Sequence, residues 1–497
     1  MMSLFALTFP WTLAIAGPVI VTTSHSSLPF VFARASGFTD KNVFRAYSMK
    51  LTVTIISFTA LILASCGKAP LNVSDMRDDI QQYLQEDLPH DGQDPEPRSI
   101  DLSEGYTEAL LLAVAQNERY RSAIAIEREA VGQIGVSRAI RRLQISGGAN
   151  LGAVREIGDT TSTSSGIAGG LNLSQLVYDG GASESAVNRA TALALSAQAG
   201  RMMEANEITL GAASAWVNTW QYSERLRLMH HRTSEMALLV DQIERMASNG
   251  ILDRASLESA RRQIVEIELE QVRLQAGLAE AHVLFRRFFA VLPAEVSPPQ
   301  DLISAQETRS LAQNWRDAPS LQRMAAEMLV AQATVGEAEA AFRPRARVQG
   351  GARSPLESGE STDLTLGISL DYVIGDGGRR QSQLEAAQAR YDAAKAQLSD
   401  AQTSLQADLQ ATLGRLDAME RSLPLLQEKL RLSQSEAETA RSQLLTGQSN
   451  LRQLVEAEIG MYRTQDQEIA MQAELQILLL TIAARTGALS GLVGLEE

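Results

Sequence analysis

The segment Leu364-Thr365-Leu366-Gly367-Ile368-Ser369-Leu370-Asp371-Tyr372 places a large apolar residue at every second position and Thr, Gly, Ser or Asp between them. Side chains of a strand alternate between its two faces, so Leu364, Leu366, Ile368, Leu370 and Tyr372 share one side. About ten residues with one apolar and one polar face match the span of an outer-membrane barrel strand, and Tyr372 falls where an aromatic girdle lies. A half-buried strand of a soluble sheet alternates in the same way, so context has to choose between the two. A second segment, Leu171-Asn172-Leu173-Ser174-Gln175-Leu176, begins with the same alternation, becomes less regular, and ends near Tyr178. The reading gives two hairpins, at about 144–178 and about 345–375, whose loops are rich in Ser, Thr, Gly, Glu and Asp and suited to water. Four strands cannot close a barrel, and lipid forbids unpaired backbone at an open edge. Either the strands pack in a small water-soluble domain or several copies of the chain pool them.

Both hairpins run into the same signal. Asp179-Gly180-Gly181 recurs as Asp376-Gly377-Gly378, and Gly250 recurs as Gly447, each 197 positions on. A helical stripe obeys the same shift: Leu257, Ala260, Ile264, Leu274, Leu278, Ala281 and Phe285 correspond to Leu454, Ala457, Met461, Met471, Leu475, Leu478 and Ile482. Steps of three and four residues over several heptads form a coiled-coil seam, and the common shift marks an internal duplication. Proline interrupts a helix at about 3 kcal/mol, and none occurs between Pro97 and Pro293 or after Pro424. Very long helices fit there, with Pro424 expected to kink or break its own. Each half then reads as helix, hairpin, very long helix, reverse turn and return helix. In the first half the opening helix covers about 103–142, and the long one covers 182–248 and reaches roughly 100 Å. Asn249-Gly250 stops it, and Asp253 caps the return helix.

Composition narrows the function classes. The 497 residues carry 45 Lys+Arg against 59 Asp+Glu, a net charge of −14 with no basic block, which disfavours nucleic acid as a partner. One cysteine excludes a disulfide framework and a Cys-rich zinc site. The 5% aromatic content suits long helices and coiled coils better than an enzyme core. His230-His231 lies on a helix and reads as solvated or partly buried side chains, and Gly147-Gly148 and Gly350-Gly351 lie in strands without the Lys-Ser/Thr of a nucleotide loop. No catalytic residue, metal or cofactor is expected.

Residues 49–65 hold one Lys, a continuous apolar run and the small pair Ala64-Ser65, the layout of an export signal and too short for a comfortable span. Leu63-Ala64-Ser65-Cys66 looks like a bacterial lipobox, in which the cysteine receives lipid and becomes the first mature residue. The plainer alternative is a buried free thiol after an apolar run. Gly67 follows, rather than the Asp that favours inner-membrane retention in the lipoproteins this string resembles, so sorting to the outer membrane is implied. Residues 1–48 contain another apolar run and are read as an extension from an upstream start, with Met49 as initiator. Without residues 1–65 the net charge becomes about −17.

At this point the chain resembles the TolC family of outer-membrane efflux ducts over about 102–489. The carriers are Leu176-Val177-Tyr178-Asp179-Gly180-Gly181, its partner Ile374-Gly375-Asp376-Gly377-Gly378, and the turn segments Asn249-Gly250-Ile251-Leu252-Asp253 and Thr446-Gly447-Gln448-Ser449-Asn450. The resemblance implies a mainly helical fold that contributes to a twelve-stranded membrane barrel in a homotrimer, above a hollow periplasmic tunnel. It implies a passive duct that hydrolyses nothing, working with a periplasmic adaptor at the turns (Gly250, Ile251, Leu252, Asp253, Gly447, Gln448, Ser449, Asn450) and an inner-membrane pump. Helix capping alone accounts for the two glycines without an adaptor. The organisation becomes an extension (1–48), a lipoprotein signal (49–65), a periplasmic N-terminal segment (66–101), a first repeat (102–292), an equatorial linker (293–320), a second repeat (321–489) and a tail (490–497). Two acidic residues constrict the tunnel mouth in this family; the matching positions are Gln453 and Glu456, of which only the second is acidic. Glu456 reads equally as a solvated surface charge. The competing function is a lipid-tethered periplasmic coiled-coil scaffold without a pore, against which the alternation at 364–372 argues. Within the duct class, drug efflux and type I protein secretion both remain, with lipidation closer to the drug-efflux branch.

Overall fold

The computed structural model describes residues 100, 102, 105–156, 162–249, 254–292, 295–354, 362–445 and 451–495. All of them belong to the larger of two units, Pro95–Glu497. The first half runs α1 (Tyr106–Ala115), α2 (Glu118–Ala139), β1 (Gln144–Glu156), β2 (Ser162–Tyr178), α3 (Ala182–Ser248) and α4 (Arg254–Phe289). The second runs α5 (Ala305–Gln313), α6 (Pro319–Ala340), β3 (Arg345–Arg353), β4 (Asp363–Asp371), α7 (Arg379–Leu445), α8 (Leu451–Thr486) and the short α9 (Leu489–Leu492). Helices α3 and α7 have 67 residues each and α4 and α8 have 36 each. At 1.5 Å per residue the long pair extends roughly 100 Å. Helices α3 and α4 precede α7 and α8 by 197 residues, whereas α2 and β1 precede α6 and β3 by 201. The first hairpin is therefore four residues longer, and the duplication embraces the strands as well as the helices.

Two expectations about helix continuity change. The opening helix is two helices, because the Asn117 side chain accepts the Arg119 amide at 2.9 Å and caps a new start. A short amide that satisfies the backbone locally offers the chain an alternative to helix, which is why Asn favours caps. Helix α7, in contrast, runs unbroken through Pro424. Leu416 and Leu426 anchor it on both sides of the proline, and one lost backbone bond does not outweigh that packing.

Among the described residues the elements meet in two main cores and a small third, where Val114 and Tyr120 pack on Ala205 and Ile208. In the larger one, α1, α3, α4, α7, α8 and the 293–320 linker converge on Tyr106, Trp216, Phe285 and Phe289, all nearly fully buried. Trp216 makes an edge contact with Tyr106 at 5.3 Å between ring centres and another with Phe289 at 5.6 Å. Its indole N–H donates to the Ser297 carbonyl at 3.0 Å, tying the linker to the helices. Farther along α5, Arg309 reaches Asp417 and Glu420 of α7, so the linker lies across the second repeat too. The second core is a four-helix coil in which Met229 and Met236 of α3 and Ile267 and Leu274 of α4 face Ala437 and Ala440 of α7 and Leu454 and Ala457 of α8. The sequence-derived seam lies largely inside these cores: Leu274, Ala281, Phe285, Leu454, Ala457 and Ile482 are buried, and Ile264, Met461, Met471, Leu475 and Leu478 partly so.

Phe285 has no exposed surface and touches Trp216 and Phe289. Phe285→Ala is expected to destabilise the helical body by about 3–5 kcal/mol through lost burial and a residual cavity. Thermal unfolding followed by far-UV circular dichroism in detergent checks it.

Candidate membrane sheet, helix corners and tunnel mouth

The four strands form one antiparallel sheet in the order β1-β2-β3-β4, leaving β1 and β4 as free edges within the chain. Cross-strand partners share a face, and the register sorts every strand into an apolar and a polar side. Leu366 of β4 stands opposite Gly350 of β3, Gly350 opposite Leu173 of β2, and Leu173 opposite Ile145 of β1. The same side carries Leu364, Ile368 and Leu370 with Val348, Leu171, Ile167 and Leu151. These side chains are bare: Leu364 is 81% exposed, Leu366 84%, Ile368 76% and Leu370 68%. A sheet that exposes its apolar face has not yet met its solvent. The opposite face carries Gln144, Ser146, Asn150, Asn172, Ser174, Gln349, Thr365 and Ser369. Its charges on β3 and β4 are largely opposed across the strands, Arg345 by Asp371 and Arg353 by Asp363. Arg347 stands between Leu176 and Ser369, with no carboxylate opposite.

The irregularity noticed after Leu176 is a β-bulge. Leu176 pairs with Arg347 and Tyr178 with the next residue, Ala346, so Val177 is the extra residue. An added residue flips everything beyond it to the other face. The bulge thus carries Tyr178 onto the apolar side, beside Leu370 across Ala346, at the helix end of the sheet. Tyr372 lies just past the end of β4 and is 56% exposed. Both tyrosines therefore lie at the helix end of the sheet, where an aromatic ring suits the boundary between hydrocarbon and water.

Each hairpin turns into its long helix through Asp-Gly-Gly. Asp179 accepts the Gly181 amide at 3.1 Å and the Ser183 amide at 2.7 Å, capping α3, while Gly180 and Gly181 take φ of 70° and 98°. An added Cβ at Gly180 would lie 2.5 Å from Cβ of Arg343, whose guanidinium donates to the Gly180 carbonyl at 2.8 Å. At the second corner Asp376 accepts the Gly378 and Arg380 amides, both at 3.2 Å, and pairs with the Arg380 guanidinium at 2.8 Å. Arg380 also donates to the Ala341 carbonyl and lies over the Phe342 ring. Burial raises the Asp179 carboxyl pKa, but the Ser183 and Gly181 hydrogen bonds and the nearby Arg141 charge outweigh it, so the net shift is downward.

Near the far end of the helices, polar groups cross the coil. Arg225 of α3 makes a two-pronged pair with Asp466 of α8 at 2.7 and 2.9 Å, and the Tyr462 hydroxyl donates to Glu235. Glu458, 4% exposed, is held by Arg441 at 2.7 Å. Arg232 is buried beside Glu270, its Nε has no acceptor, and burial pulls its pKa down. Gln453 and Glu456 are both exposed on α8, each immediately before a buried seam residue, Leu454 and Ala457, and Glu456 has Arg452 at 3.8 Å. The turn residues 250–253 and 447–450, and Cys66, lie outside the described residues. Sequence reasoning passed over Arg343, Arg380 and Glu458. The first two carried a signal, since both arginines flank the points where strand and helix exchange.

Residues 311–488 match the family model described as outer membrane efflux protein. This second repeat belongs to that family. The fold extends over the first repeat as well. A membrane protein from Pseudomonas aeruginosa superposes with a TM-score of 0.69 at 18% identity, over 77% of this chain and 90% of that one. The outer membrane protein VceC from Vibrio cholerae does so with 0.67 at 17%, over 77% and 96%. The CmeC outer membrane channel of Campylobacter jejuni gives 0.67 at 12%, over 81% and 94%. No curated protein matches the chain by sequence. The described residues of both repeats therefore have the TolC-like fold of outer-membrane channels, and among them no helix is long and apolar enough to cross a membrane.

The depressed Asp179 carboxyl links corner stability to pH. A carboxyl whose folded pKa lies below its unfolded value near 3.9 stabilises fully above about pH 4, and that contribution is lost as the pH falls through the folded value. Acid titration of thermal stability should show a loss below about pH 4 that is reduced in Asp179→Asn. The variant keeps one acceptor oxygen where Asp179 uses two, so it is expected to cost about 0.5–1.5 kcal/mol at neutral pH for the lost hydrogen bond.

Proposed function

We propose that three copies of the chain form the outer-membrane exit duct of a tripartite efflux system. The carrying observation is the sheet: four strands with one bare apolar face, one polar face and two free edges, joined through tight corners to helices of roughly 100 Å. The apolar side of twelve pooled strands meets lipid and the polar side lines the bore; backbone pairing all round satisfies the requirement that hydrocarbon imposes. The helices continue the bore into the periplasm. There the turns at 250–253 and 447–450 meet an adaptor, which connects the duct to an inner-membrane pump. Gln453 and Glu456 narrow the mouth. Conduction is passive, and the energy comes from the pump. Cys66 carries the lipid that adds an anchor in the outer membrane. A scaffold without a pore has no use for a bare apolar hairpin face continuous across four strands.

Purified full-length protein in planar bilayers should give discrete conductance steps; their absence from correctly folded trimer would remove the duct. Within the bore, three Arg347 side chains form a ring of unopposed cations, and charge rings set ion preference in wide pores. Arg347→Glu is expected to move the reversal potential in a KCl gradient toward cation preference, with little change in conductance. For the anchor, cells grown with radiolabelled palmitate should label the protein, and Cys66→Ala should abolish the label while leaving the export signal intact.

A further inference from the structure

We propose that the groove between α2, α3 and α6 is a binding site on the inner wall of the duct for drug-sized lipophilic organic cations, with Glu129 selecting their charge. This rests on the duct reading above and adds a cargo class to it.

The groove encloses about 860 Å³, within the range of about 300–1,000 Å³ typical of small-molecule sites. Ala123 and Ile126 of α2 and Leu193, Ala197 and Gly200 of α3 give it an apolar floor, and Arg323 and Glu327 of α6 stand on its far wall. Ile126 is 55% exposed and Leu193 39%, and a Cβ added at Gly200 would meet nothing within 4 Å, so the floor is open to an occupant.

The outer side of α3 is marked by what covers it. Trp216 bonds the linker at Ser297, and Asn206 exchanges hydrogen bonds with Ser490 of α9 at 3.0 and 3.1 Å. At about 3.6 residues per turn, Leu193, Ala197 and Gly200 lie on the opposite side of the helix from Trp216 and Asn206. The groove therefore faces away from the linker and the tail, which in a tubular assembly is inward. Its level is roughly 15–35 Å beyond the Asp-Gly-Gly corner along α3, on the path of anything moving toward the sheet.

Charge narrows the occupant. The charged side chains that line the groove are in ion pairs with a single exception: Arg119 with Glu204, Glu118 with Arg121, Arg201 with Glu127, and Arg323 with Glu327. Glu129 is exposed and forms no ion pair among the described residues. A lone carboxylate beside an apolar floor complements a molecule that is itself apolar and carries one positive charge.

The internal repeat shows that the scaffold does not require these residues. Shifts of 201 for α2 and 197 for α3 turn Ala192 and Ala199, both nearly buried, into Ala389 and Ala396, so the small packing positions recur. The same shifts turn Ile126 into Glu327, Glu129 into Val330 and Leu193 into Arg390. The first repeat thus carries the apolar floor and its carboxylate where the second carries neither.

Fluorescence anisotropy of rhodamine 6G, a lipophilic cation, titrated with purified full-length trimer should give saturable binding above a detergent-only titration. Fluorescein, an anion on the same ring system, should give none. Glu129→Gln should weaken rhodamine 6G binding by about fivefold, the upper range for one exposed ion pair. Leu193→Arg, which installs the second repeat's residue, should abolish it. Glu436→Gln removes an equal charge from the exposed surface of α7 and should leave binding unchanged. All variants are compared at wild-type helix content. Trimers that conduct in bilayers but show no preference for the cation, or whose binding is the same in Glu129→Gln and Leu193→Arg as in wild type, overturn the site and leave the duct standing. The groove lies within one chain, so binding that both variants weaken, in folded protein that forms no channel, overturns the duct and keeps the cation site.

Discussion

Backbone amides and carbonyls in hydrocarbon have no water to bond, and the sheet of this chain is read through that constraint. A four-stranded sheet satisfies its inner strands and leaves two edges open. The chain spends its alternation, its bulge and its bare leucines on a surface that is stable only when the edges are occupied and the apolar face is wetted by lipid. In the proposed duct the sheet is a fragment of a wall, and its exposed residues are the part that the assembly covers.

The corners connect that wall to the helices. A strand can become a helix within three residues only if the backbone passes through left-handed conformations and the first helical amides find acceptors. Gly180-Gly181 and Gly377-Gly378 supply the first, and Asp179 and Asp376 the second. Arginine completes each corner, Arg343 from across the sheet at the first and Arg380 from the first turn of α7 at the second. Farther down, exposed ion pairs on the helix surfaces contribute little to stability. The coil is held by its apolar seam, while the part-buried pair of Arg225 with Asp466 fixes how the repeats lie against each other, and Arg441 holds the buried Glu458 within the second repeat.

Much of this was legible in the sequence because it depends on local period and punctuation. Alternation at 364–372 gives one face by geometry alone, Asp-Gly-Gly marks a turn whose backbone only glycine adopts freely, and a proline-free run with a heptad stripe gives a long helix. The break at Asn117 escaped because a cap competes with the helix only when a tertiary neighbour rewards the new direction. At Pro424 the expected break does not occur, since packing on both sides of it overrides a local propensity.

The sequence by itself determined the duplication, the strand faces, the lengths of the long helices and the outer-membrane efflux resemblance, all of which follow from periodicities that neighbouring residues impose on one another. Only the tertiary structure decided the strand order, the bulge that turns Tyr178 toward the apolar side, the absence of a carboxylate opposite Arg347 on the polar face and the arginine seated over Gly180. These are contacts between residues far apart in the chain, where many registers satisfy the same local pattern and only packing and backbone pairing choose among them.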